Sequence, residues 1–123
     1  MQTISFSVRG TSPKAWGNNE WDWRKALAEQ ARKISSSSIP IPESARISVD
    51  IVFFLRADRA DLDNLAKPVL DTLFRINRPQ VRDLTLTAAL FQVDDSRIYL
   101  LKLEKRPVTA PSDEGALVVI TWE

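Results

Sequence analysis

The residues best suited to chemistry in this chain are acidic. Asp58, Asp61 and Asp63 fall close together with Asn64 and Lys67, and Asp94 and Asp95 stand side by side ahead of a later apolar run. The 123 residues include no Cys and no His. That excludes thiolate or imidazole zinc sites, haem ligation, disulfide frameworks and nucleophile systems that need either residue. Any metal must be held by oxygen, so Mg²⁺, Mn²⁺ and Ca²⁺ are the candidates. Two or three convergent carboxylates make a Mg²⁺ or Mn²⁺ site that leaves positions for water and phosphate oxygens. Such a site polarises a phosphodiester and supplies hydroxide near neutral pH. Lys67 lies four residues after Asp63, so on a helix the two share a face and Lys67 offers a point charge to a phosphate.

A plainer reading competes. Asp at a helix start caps exposed N–H groups and complements the dipole. Asp63 with Lys67 is also the favoured order for an exposed pair, worth about 0.2–0.5 kcal/mol. Asp94-Asp95-Ser96 reads as a turn. One cap needs one Asp, however, and three acids crowd this stretch.

Cations surround both clusters. Lys and Arg number 17 against 16 acids, a net charge of +1, and eleven of the 17 are Arg. Arg is the better phosphate fork. Arg56, Arg59, Arg75, Arg78 and Arg97 are candidates for holding DNA backbone phosphates, with Lys102, Lys105 and Arg106 farther along. Acids holding an ion beside bases holding phosphates is the mixture that metal-dependent nucleic-acid cleavage requires. A solvated charged surface is the alternative for each residue taken singly.

The elements that must position these groups follow from periodicity. Ile4, Phe6 and Val8 alternate with polar residues as in a half-buried strand. Trp23, Leu27, Ala31 and Ile34 have helical spacing over residues 20–34; Trp23 is expected in the core, and Trp16 and Trp21 in packing, a dimer contact or base stacking. Ile47–Leu55 alternates most clearly. Leu62, Leu65, Ala66, Val69, Leu70, Leu73 and Phe74 form an apolar helical stripe, with Pro68 expected to delay the helix start to about residue 64 or to kink it. With Leu62 turned inward, Asp61 and Asp63 should point out at the helix mouth. Residues 84–87 read as a strand, with a short helix over 84–92 as the equal alternative, 97–105 as a strand and 116–122 as a last strand. Two helices and about four strands predict one α+β domain with a mixed sheet. No stretch approaches a membrane span, and the first residues lack the features of a signal peptide, so an intracellular soluble protein is expected.

The run Asp61-Leu62-Asp63-Asn64-Leu65-Ala66-Lys67-Pro68-Val69-Leu70-Asp71-Thr72-Leu73, followed by Val93-Asp94-Asp95-Ser96, resembles the signature of the RusA-type Holliday-junction resolvases. The likeness covers about residues 55–105. It implies a small α+β homodimer, cytoplasmic in a bacterium or phage, that uses Mg²⁺ or Mn²⁺ to cut four-way DNA junctions by paired nicks. Asp61, Asp63 and Asp95 would be its catalytic metal ligands, Lys67 its essential lysine, and Asp94 a neighbouring acid. Residues 68–93 form a longer connection than compact members have. A DNA-structure-binding protein that keeps the fold without cutting, and a structural dimerisation module, are the alternatives.

Overall fold

The computed structural model describes residues 1–14, 19–35, 38–57, 60–74 and 90–123. The chain runs β1 (Gln2–Arg9), α1 (Asn19–Ile34), β2 (Ile47–Leu55), α2 (Leu62–Leu73), β3 (Ile98–Pro107) and β4 (Gly115–Trp122). The four strands form one mixed sheet in the order β1-β4-β2-β3. The α+β fold expected from the sequence is the fold observed.

Alternation builds the sheet's inner face. Phe6 and Val8 of β1, the odd-numbered residues of β2, and Ala116, Val118, Ile120 and Trp122 of β4 are buried on one side. The cross-strand register aligns them, with Phe6 and Ile51 both paired to Val118. Trp23, Leu27 and Ala31 of α1 and Leu65, Val69 and Leu73 of α2 join the same core. Both helices therefore cover one face, a two-layer arrangement.

β2 pairs antiparallel with β4 but parallel with β3. A parallel pair needs a crossover, and α2 lies within that connection. The chain thus runs up β2, back along α2 and up again along β3. Ile98 pairs with Ile47 at the start of β2, and Pro107 with Leu55 at its end.

The helix α2 starts before residue 64, so Pro68 does not delay it. It begins at Leu62 and continues through Pro68 to Leu73. Pro68 cannot donate to the carbonyl of Asn64, a residue that is itself solvent-exposed. One turn on, the Thr72 hydroxyl donates to the Pro68 carbonyl at 2.8 Å. Of the stretch 84–92, residues 84–89 lie outside the described residues. Phe91 forms isolated bridges to Phe74 and Ile39 and stacks on Phe74 with ring centroids 5.1 Å apart.

Gly115 fixes the junction of β4 with β1. Its φ is +153°, and a Cβ there would sit 1.8 Å from the Val8 carbonyl oxygen. Only glycine allows the two backbones this approach.

Candidate metal centre

Asp61 is the N-cap of α2, with φ −73° and ψ 140°. Its carbonyl accepts the first helical bond, from the Leu65 N–H at 3.0 Å, yet its carboxylate makes no capping bond. Leu62 packs against the core, and Asp61, Asp63, Asn64 and Lys67 are exposed. The outward placement of the two carboxylates agrees with the reading of the helix mouth. Among the described residues, Asp61, Asp63 and Lys67 take part in no side-chain hydrogen bond or ion pair. Neither the side-chain cap nor the Asp63–Lys67 pair of the plainer reading is made.

Asp94 and Asp95 lie elsewhere. The Asp94 carboxylate accepts from the Ser96 N–H at 2.8 Å and caps a short 3-10 turn, Asp95–Arg97, that leads into β3. Here the turn reading is correct. Arg97 then donates to the carbonyls of Pro42 and Glu43, each at 3.0 Å. This is the end of the sheet where β2 begins.

Asp61 sits at the other end. The Lys105 ammonium donates to the Ala60 carbonyl at 3.0 Å, one residue before Asp61, and Lys105 pairs with Phe53 near the end of β2. Seven residues separate Ile98 from Lys105, a span of about 23 Å at ~3.3 Å per residue. The 12 residues of α2 give a similar length, about 18 Å at ~1.5 Å per residue. Within one chain the structure does not bring Asp95, an expected ligand, to Asp61 and Asp63. The crossover returns the chain to the far end of the sheet before Asp95. Among the described residues, no group of three or more acidic side chains is gathered to hold a cation.

Two of the arginines proposed to hold phosphates are engaged in the fold. Arg56 donates from Nε to Glu114 Oε1 at 2.8 Å, and Arg97 is spent on the carbonyls of the loop before β2. Arg59, Arg75 and Arg78 lie outside the described residues, as does Asp58. Trp23 is fully buried, as expected, and Trp21 is exposed on α1 with the Arg24 guanidinium 5.7 Å from its ring.

Glu114 was not anticipated. It is only 6% exposed and accepts from Arg56 and, at 3.0 Å, from the Ser12 hydroxyl. Burial alone would push its carboxyl upward; the bonds from Arg56 and Ser12 and the arginine charge outweigh that and hold it below the usual carboxylate range. Glu114 stands in a Pro-, Ser- and Gly-bearing loop, 58 residues from Arg56, so no local pattern marks the pair. Lys105 did leave a signal: it falls in phase with Leu101 and Leu103 on the helix-facing side of β3, where an apolar residue would be ordinary.

The sequence matches no family model and no curated protein. No helix among the described residues is long and apolar enough to cross a membrane.

Proposed function

We propose that the chain is a Mg²⁺- or Mn²⁺-dependent endonuclease of branched DNA, acting as a homodimer in the manner of the junction resolvases its helix motif resembles. The observation that carries this reading is the unspent state of Asp61, Asp63 and Lys67. Among the described residues, these three exposed charged groups near one helix mouth are consumed neither by capping nor by pairing. Two such carboxylates fit a hard cation, because Mg²⁺ is commonly held by one or two carboxylates together with waters and substrate phosphate. When bound, the ion would supply an activated water and neutralise developing phosphate charge. Asp61 and Asp63 would hold and orient it, and Lys67 would meet the phosphate being cut.

The exposed edge of the sheet supports the homodimer. Among the described residues β3 has one paired neighbour, β2, and it carries Tyr99, Leu100 and Leu101 at 71%, 48% and 40% exposure. The exposed apolar first half of this edge strand offers a template for a second strand, while Lys102, Glu104 and Arg106 charge the rest. Antiparallel pairing of β3 with its own copy about Leu101 sets the start of each strand against the end of the other. Asp95 of the partner subunit would then approach the end of β3 where Lys105 touches Ala60, beside Asp61. Asp95 thus remains a ligand in this reading, supplied across the two-fold, and a two-fold enzyme suits a junction with two equivalent strands. The cytoplasmic bacterial or phage setting belongs to the same resemblance.

The test is subunit mixing on a labelled four-way junction, with duplex and single strand as controls, in Mg²⁺, Mn²⁺ and EDTA. Asp63→Asn and Asp95→Asn should each abolish metal-dependent nicking while leaving junction binding intact. Mixed together they should regain nicking, because one of the two shared sites is then whole. No recovery on mixing rejects the shared site. Junction that is shifted but never cut identifies a binding protein, and a dimer that ignores junctions identifies a dimerisation module.

A further inference from the structure

We infer that Lys105 is a positioning residue for the cation site, holding the stretch of backbone that presents Asp61. What is held is a matter of geometry; that the held group binds a cation rests on the reading above.

Lys105 is half-buried on β3, and its ammonium reaches across 45 residues of sequence to the Ala60 carbonyl at 3.0 Å. That carbonyl belongs to the peptide whose N–H is Asp61's own, so the bond fixes the plane from which α2 starts. The other end of the same connection is also tied. Arg56 is bonded through Nε to Glu114, and its backbone N–H lies 3.4 Å from the same carboxylate. Arg56 and Ala60 are thus each tied to a residue remote in sequence. Asp61 has no side-chain cap of its own, so the direction of its carboxylate depends on how the backbone enters the helix. A lysine suits the task, since its stem lies along the apolar face while its head meets a polar group.

Two roles for this ammonium predict opposite signs. As a charge near Asp61 it would oppose cation binding, and removing it would tighten the site. As a holder of the backbone it favours binding, and removing it would loosen the site, as loss of outer partners does at other metal centres.

The full chain is compared with Lys105→Met and Lys105→Arg by residue-resolved hydrogen exchange without metal and by Mn²⁺ titration read from the free-ion electron paramagnetic resonance signal. In Lys105→Met the Leu65 amide, donor of the first helical bond, should exchange about tenfold faster, while residues 69–73 and the sheet amides stay unchanged. Mn²⁺ affinity should fall roughly tenfold, and Lys105→Arg should restore both. Unchanged exchange at Leu65 overturns the inference, as does acceleration spread over the whole sheet. With the wild type binding Mn²⁺, unchanged or tighter binding in Lys105→Met overturns it as well. If the wild type binds no Mn²⁺, or Asp61→Asn does not weaken binding, the metal reading fails instead, and the exchange result alone decides whether Lys105 holds the helix entry.

Discussion

Replacing Glu114 by Gln probes the lock that ties β1, β2 and β4 together beside the candidate site. The buried carboxylate accepts from Arg56 Nε at 2.8 Å on one oxygen and from the Ser12 hydroxyl at 3.0 Å on the other. Gln has the same shape but only one acceptor oxygen. Its NH₂ must face a donor that had been satisfied, and the Arg56 charge loses its counter-ion. Hydrogen bonds to charged groups contribute about 1.5–3 kcal/mol. The Arg56 side chain is half exposed and turns to water when released, so the loss should be near 2 kcal/mol, at the lower part of that range. For a chain of this size that corresponds to a fall in Tm of about 6–10 °C. The pH dependence has a definite sign. Glu114 titrates below its ordinary value of 4.5 when folded, so its stabilisation is present above the unfolded value and disappears as pH falls through the folded one. Urea unfolding of wild type and Glu114→Gln at pH 7 and at successively lower pH measures both effects. The gap should be full at pH 7 and should close on acidification below 4.5. A gap under about 0.5 kcal/mol at pH 7, or one of constant size at every pH, would refute the account of this cluster.

Four other outcomes are expected. Gly115→Ala should cost at least about 3 kcal/mol, because a Cβ 1.8 Å from the Val8 carbonyl forces β1 and β4 apart; a thermal melt within a degree or two of wild type would contradict the register described. Asp63→Asn without metal should leave stability within about 0.5 kcal/mol, since relief of repulsion from Asp61 offsets the lost dipole interaction; a loss above about 2 kcal/mol in urea unfolding would reveal a structural cap. Leu101→Glu should convert a dimer into a folded monomer by sedimentation equilibrium, and a wild type that sediments as a monomer would dispose of the β3 interface. Junction affinity should fall steeply with salt, with a log–log slope near −4 if about four phosphates are contacted; a flat response by fluorescence anisotropy would exclude a phosphate-gripping surface.

Much of the frame was legible because burial on one face forces a period. Every odd residue of Ile47–Leu55 is buried, and its bounds were read directly from alternation. The stripe on α2 was equally clear, and Pro68 misled only because helix continuity is decided by what happens to the carbonyl four residues back. The bond from the Thr72 hydroxyl to the Pro68 carbonyl is local, four residues back in the same helix, whereas the exposure of Asn64 is a tertiary fact that no local rule contains. The Glu114–Arg56 lock was illegible for the same reason, its members being joined only when β2 and β4 become neighbours. The likeness of the motif at 61–73 said which side chains could act, and said nothing about how far apart they would stand.

The separation of the acidic clusters was nonetheless implicit in the elements themselves. A strand, a helix and a second strand parallel to the first return the chain to its starting edge. A residue at the start of the second strand must then lie a full helix length from one at the helix mouth. Asp95 precedes β3, Asp61 precedes α2, and β2 and β3 are parallel, so no side-chain rearrangement within one protomer closes the distance. The same geometry supplies the remedy. An edge strand that met its own copy antiparallel would exchange its ends, and two chains would then bring together what one holds apart. In the proposed enzyme the apolar edge of β3 and the divided acidic motif are then one feature: the exposed Leu100 and Leu101 are the means by which each helix mouth acquires its third carboxylate. Cleavage would require the dimer at the level of a single site as well as for paired incision.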